Sequence, residues 1–129
     1  MALRTPGMEK QHAALAALSS RYVDVDTLPW KPTPYKGVDI KILMEDPETG
    51  LMTSLTRFAP GAELPMHEHV ELEQSWVLEG RLIDHEGEVT AGQYVWRPKG
   101  SKHVARARRP DAAPHPRRES FRHPPCGRR

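Results

Sequence analysis

Between residues 38 and 44 the side chains alternate, with Val38, Ile40, Ile42 and Met44 separated by Asp39, Lys41 and Leu43. A period of two belongs to a half-buried strand, because successive side chains of an extended chain point to opposite faces. Asp46-Pro47-Glu48-Thr49-Gly50 then reads as a turn, with Pro preset for the bend and Gly at its end. Residues 51–58 are the answering strand, closed by Ala59-Pro60-Gly61. Further strands are predicted over 73–79, 81–85, 88–91 and 94–97, divided by Gly80, Gly87 and Gly92. Upstream, Tyr22-Val23-Asp24-Val25 is a short strand candidate, followed by an extended connection that Pro29, Pro32 and Pro34 impose. Residues 8–18 (MEKQHAALAAL) favour helix by composition but are too few to hold one undocked. Many short strands set between Gly and Pro turns predict an all-β fold, an antiparallel sandwich or barrel.

Length and charge divide this picture into three parts. At 129 residues there is room for one domain. Residues 1–20 read as a flexible arm or short helix, 21–105 as the barrel, and 106–129 as a different material. From Ala105 onward there are eight arginines against Asp111 and Glu119, whereas the first 104 residues carry 11 basic and 15 acidic side chains. The last segment also holds five prolines and almost nothing apolar beyond alanine and Phe121, so disorder is expected there. Such a tail can meet polyanions, but without a folded element beside it nucleic acid is not an expected partner. Cys126 is the only cysteine, which rules out an internal disulfide and gives no support to secretion. No signal peptide and no apolar run of the ~18 residues needed to span a membrane is visible, so a cytoplasmic protein without membrane contact is expected.

The chemistry concentrates between Gly61 and His103. His67 and His69 are two apart, so on an extended strand both face the same side. A bend over 70–72 brings the Glu73 carboxylate back toward them, and His103 arrives at the end of a returning strand. Three imidazoles and one carboxylate suit one divalent first-row metal ion with coordination positions left open. Pro98-Lys99-Gly100 has the form of a β-turn with Pro first. Glu68, Glu71, Glu79 and His85 are expected to be solvated. Ser75 and Val77, which share a face with Glu73, are expected in the pocket wall with Leu55 and Phe58. For Gln74, Trp76, Tyr94, Trp96 and Arg97 alternation alone leaves the face open.

The run Gly61-x5-His67-x-His69-x3-Glu73-x6-Gly80 and the run Gly92-x5-Pro98-x-Gly100-x2-His103 resemble the two cupin motifs, separated by eleven residues. The chain is similar in particular to the ChrR-like cupins, a group that includes the metal-binding domain of anti-sigma factors and, more loosely, acetylacetone-cleaving dioxygenases. The resemblance covers roughly residues 21–105 and implies a double-stranded β-helix, or jelly-roll, barrel. It implies a metal held by His67, His69, Glu73 and His103, with Fe(II) favoured and Zn(II) next. Glu73 is then a fourth ligand, or swings off as substrate enters, which makes it the expected catalytic residue. The implied activity is a dioxygenase acting on a small dicarbonyl or hydroxyketone. The alternative is a non-catalytic zinc-binding sensing module of the ChrR type. A homodimer is implied by resemblance alone.

Two departures from the motif stand out. The position usually occupied by Asn after the second motif is Ala107 here. The apolar strand that should follow His103 and complete the barrel is replaced by Arg/Pro-rich text, as a frameshift near Arg106 would produce. A barrel lacking its last strand is therefore expected, with an open edge that invites a second chain.

Overall fold

The computed structural model describes residues 3–107. Along them run helix α1 (Glu9–Ala13) and nine strands: β1 (Lys31–Pro32), β2 (Val38–Asp46), β3 (Leu51–Phe58), β4 (Glu63–Glu68), β5 (Glu73–Trp76), β6 (Arg81–Ile83), β7 (Glu88–Thr90), β8 (Tyr94–Arg97) and β9 (Lys102–Ala107). Hydrogen bonding orders them as β1-β2-β3, β4-β9-β6-β7 and β5-β8, every pair antiparallel. This is the all-β architecture that the strand pattern predicts.

The β2–β3 hairpin follows the predicted alternation with one interruption. Its register runs from Val38 opposite Phe58 to Asp46 opposite Leu51, and shifts between Ile42 and Met44. Val38 is buried as expected, but so is Lys41. The lysine is accommodated because Nζ donates to the Val25 carbonyl at 2.8 Å and lies 4.9 Å from the centre of the Trp30 ring. A buried ammonium is tolerable only with such partners. At the start of the described chain Arg4 pairs with Glu45 through both backbone groups, and Thr5 Oγ1 donates to the Leu43 carbonyl. That end of the arm is therefore held against β2.

Three expectations need correction. Residues 22–25 are not a strand; Val25–Thr27 form one turn of 3-10 helix, and the Asp24 carboxylate accepts from the Asp26 amide. The aspartate captures a local amide, a competitor to strand pairing that Asp, Asn, Ser and Thr all supply. The strand predicted over 73–79 ends at Trp76, after which Val77 hydrogen-bonds Gln93 and Gly92 across the turn. Arg106 and Ala107 belong to β9 rather than to a tail: Ala105 and Ala107 are buried, while Arg106 turns outward onto Glu63 at 2.7 Å. The expectations for 108–129, disorder and frameshift included, lie outside the described residues. Among the described residues β3 pairs with β2 and with no other strand.

Candidate metal centre

Strand pairing assembles the four predicted residues from three strands. His67 on β4 lies opposite His103 on β9 in the ladder. His69, just beyond β4, is tied by both its backbone groups to the predicted Pro98-Lys99-Gly100 turn: its amide donates to the Ser101 carbonyl at 2.9 Å and its carbonyl accepts from Gly100 at 2.7 Å. The second motif thus fixes a histidine of the first. The bend over 70–72 then returns the chain so that Glu73 opens β5, as expected from the spacing. The three imidazole centroids stand 4.5 to 4.8 Å apart, and one donor atom from each of the four residues lies within 4.8 Å of the others. His69, Glu73 and His103 are buried and His67 is half-buried.

The polar contacts prepare these groups for a cation. His67 Nδ1 lies 2.8 Å from the Pro65 carbonyl oxygen, which can only accept, so Nδ1 carries the hydrogen and, in the neutral ring, the lone pair is on Nε2. Glu73 touches His69 Nδ1 through Oε2 and accepts from Ser75 Oγ through Oε1 at 3.1 Å. His103 is 4% exposed and neither of its ring nitrogens makes a hydrogen bond. A buried polar atom left in that condition costs about 1–3 kcal/mol, a cost that a metal ligand bond would remove. Three imidazoles and a carboxylate, with both His103 ring nitrogens lacking a hydrogen bond, fit a divalent first-row ion.

The carboxylates set aside from the sequence stay outside the cluster. Glu68, Glu71 and Glu79 are exposed, Glu71 beside Lys99 at 3.2 Å, and His85 is exposed. The cluster borders a cavity of 1290 Å³ whose lining includes Leu55, Phe58, Ser75 and Val77, the four expected wall residues. Gln74, Trp76, Trp96 and Arg97 also border it, whereas the Tyr94 hydroxyl donates to Gln74 Oε1 at 2.7 Å.

Asp84 is the residue that sequence reasoning missed. Its side chain is 7% exposed and sits in the β6–β7 turn. Oδ1 accepts from the Glu86 and Gly87 amides at 2.8 and 2.9 Å. Oδ2 lies 2.7 Å from Arg97 Nη2 and 3.5 Å from His103 Nδ1. Burial raises the carboxyl's pKa, but His103, Arg97 and the two amides outweigh it and hold the group well below the usual carboxylate range. The sequence put residues 84 and 85 in a strand, whereas β6 ends at Ile83 and Asp84 opens the turn; its approach to His103 on the neighbouring β9 left no mark in residue spacing.

Comparison with known proteins completes the assignment. Among curated proteins none matches the sequence. The chain resembles the anti-sigma factor ChrR of Rhodobacter sphaeroides, solved with SigE, at 26% identity over 66% of this chain and 44% of that one, with a TM-score of 0.56. A Ralstonia eutropha protein with a cupin-like fold is 36% identical over 57% of this chain and 48% of its own, with a TM-score of 0.55. The chain thus spans less than half the length of either. A Methylibium petroleiphilum protein assigned as an acetylacetone dioxygenase is 19% identical over 79% of this chain and 90% of its own, with a TM-score of 0.60, a likeness of fold alone. The family model for the ChrR cupin-like domain matches residues 18–112, and the chain belongs to that family.

Proposed function

We propose that this chain is a divalent-metal cupin enzyme, an Fe(II)-type dioxygenase acting on a small dicarbonyl or hydroxyketone. The observation that carries the reading is the convergence of His67, His69, Glu73 and His103 on one wall of a cavity that also exposes Leu55, Phe58 and Val95. One ion per chain, Fe(II) before Zn(II), would supply Lewis acidity and open coordination positions for a bidentate oxygen ligand. The chain's own residues do the rest. His67 and His103 present ring nitrogens from facing positions of the β4–β9 ladder, and His69 from just beyond it. Glu73, oriented by Ser75, is the group placed to hold a proton released by an acidic C–H or O–H of the substrate. The apolar wall receives the substrate's hydrocarbon part and limits water at the reacting atoms. We place the protein in the cytoplasm and read it as a homodimer, with the edge of β3 that pairs with no other strand among the described residues as the surface for a second copy.

The family match favours a second reading, a non-catalytic zinc-binding sensing module. It rests on the ChrR-like sequence over residues 18–112 and on the likeness to an anti-sigma factor.

Anaerobic expression followed by metal quantification separates the two. Dioxygenase chemistry predicts about one iron per folded chain, lost in the His67→Ala/His69→Ala variant. Oxygen uptake with β-diketones and hydroxyacetophenones should then depend on the same residues. Zinc, with no oxygen uptake, would transfer the weight to sensing. A folded wild type that retains neither metal would defeat both readings.

A further inference from the structure

The Asp84–Arg97 pair stands beside His103, bordering the same cavity, and neither residue is among the four candidate ligands. Asp84 is a nearly buried carboxylate whose acceptor capacity is spoken for from three sides: two backbone amides on Oδ1, and the Arg97 guanidinium on Oδ2. Arg97 is itself 12% exposed and stands opposite Glu73 in the β5–β8 ladder. The guanidinium and the two amides can only donate, so they make both Asp84 oxygens acceptors and fix the plane of the carboxylate. The remaining neighbour of Oδ2 is His103 Nδ1 at 3.5 Å, a few tenths of an ångström beyond a conventional N–H···O bond.

An ionised carboxylate can accept hydrogen bonds but not donate them. If Nδ1 of His103 carried a lone pair, it would face the lone pairs of Oδ2 in a site with little water to screen them. With the hydrogen on Nδ1 the contact is attractive, and Nε2 is left with the lone pair that a metal ligand requires. The Pro65 carbonyl imposes the same choice on His67. Two of the three imidazoles are thus held in one tautomer by acceptors behind them.

We infer that Asp84, locked by Arg97 and the Glu86 and Gly87 amides, is the positioning residue that fixes His103 as the Nδ1–H tautomer and aims Nε2 into the metal centre. Asp84 acts through His103 and is not one of the four clustered residues. The inference rests on the metal-centre reading above and adds to it a residue outside the four ligands. Groups that orient a ligating histidine typically change metal affinity by 10- to 100-fold when removed.

Two measurements on the full chain test it. Nitrogen-15 imidazole shifts of the metal-free protein report the tautomer directly: the wild type should show His103 as Nδ1–H, and Asp84→Asn, which presents an amide N–H₂ or a neutral carbonyl, should lose that preference. Titration with Co(II), followed by its visible absorption, should show Asp84→Asn binding about 10- to 100-fold more weakly than wild type. In a His103→Ala background the same substitution should change the affinity less than about twofold, because the route through His103 is gone. A loss of equal size in both backgrounds would mark Asp84 as a general structural residue and overturn the inference, as would an Nε2–H tautomer in the wild type. Circular dichroism of each variant identifies misfolding, and Arg97→Lys, which keeps the charge beside Asp84, should retain the wild-type tautomer. A wild type with the Nδ1–H tautomer that binds no Co(II) would instead sink the metal-centre reading, and this use of the tautomer with it.

Discussion

Asp46 shows how one buried charge can organise a turn. Only 2% of the residue is exposed, yet its side chain accepts from the Glu48 amide at 2.9 Å and its carbonyl from Gly50 at 2.8 Å. Burial pushes the carboxyl's pKa up, but the Glu48 and Thr49 donors more than offset this and leave it below the ordinary value. A lowered value means that the group stabilises the fold above the unfolded-state pKa of about 4 and that this is lost as pH falls through the folded value. Asp46→Asn should therefore lower the urea midpoint at neutral pH and flatten its decline below about pH 4 relative to wild type. An unchanged acid limb would show that other carboxylates carry the pH dependence. Residue types and spacing made the candidate metal centre legible because His67, Glu73 and His103 sit on paired strands and His69 is tied to the Gly100 turn. They could not disclose Asp84, since its partners His103 and Arg97 come from two other strands and the contact depends on how β6 packs on β9.

Among the elements, the strands readable from sequence were those whose boundaries are set by turns. β3 and β8 fall where alternation and flanking Gly or Pro put them, and β2 runs two residues past its predicted end to Asp46. β4 was not among the strands read from alternation, because Pro65 and the few apolar residues of Glu63–Glu68 hide a strand whose pairing comes from β9. The 22–25 segment erred in the opposite direction, with apolar residues at strand spacing but no partner strand among the described residues. Turn geometry makes a sharper test than strand content. Gly37 and Gly50 both adopt φ +78°, where an L-residue is strained. Beyond Gly50 nothing stands within 4 Å of an added Cβ, whereas at Gly37 such an atom would lie 3.0 Å from Ala62 Cβ and 3.2 Å from Ala59 Cβ. Gly50→Ala should cost about 1–2 kcal/mol from backbone strain alone. Gly37→Ala should cost about 1 kcal/mol more, because the loop after β3 must yield as well. Equilibrium urea unfolding of the two variants checks the order, and equal costs would mean that the 59–62 segment moves freely away from the hairpin.

At the scale of the whole molecule, the cavity and the β3 edge pose one question: what covers them. Leu51, Met52, Leu55 and Phe58 of β3 are only half-buried, and β3 pairs with β2 alone among the described residues. An exposed strand edge presents unpaired amides and carbonyls in a row, and proteins that stay monomeric blunt such edges with lysine, proline or a bulge. β3 has none of these at its centre, where Ser54, Leu55 and Thr56 follow one another. The proposed homodimer places a second copy on this edge, continuing the sheet and closing the cavity from one side. Sedimentation equilibrium should then give a species of twice the 14.6 kDa chain mass. Thr56 is exposed, although it also borders the cavity, so Thr56→Lys puts a charge beside the edge. It should weaken the dimer by about tenfold, the effect of some 1.4 kcal/mol of charge repulsion and desolvation between paired edges. The Co(II) affinity of the same variant should stay near wild type, because each set of four ligands comes from a single chain. A wild type that sediments as a monomer at high micromolar concentration would remove the second copy as the partner of β3. A dimer indifferent to Thr56→Lys would move the interface elsewhere, with exposed Trp76 and Trp96 on the β5–β8 sheet the next surface to substitute.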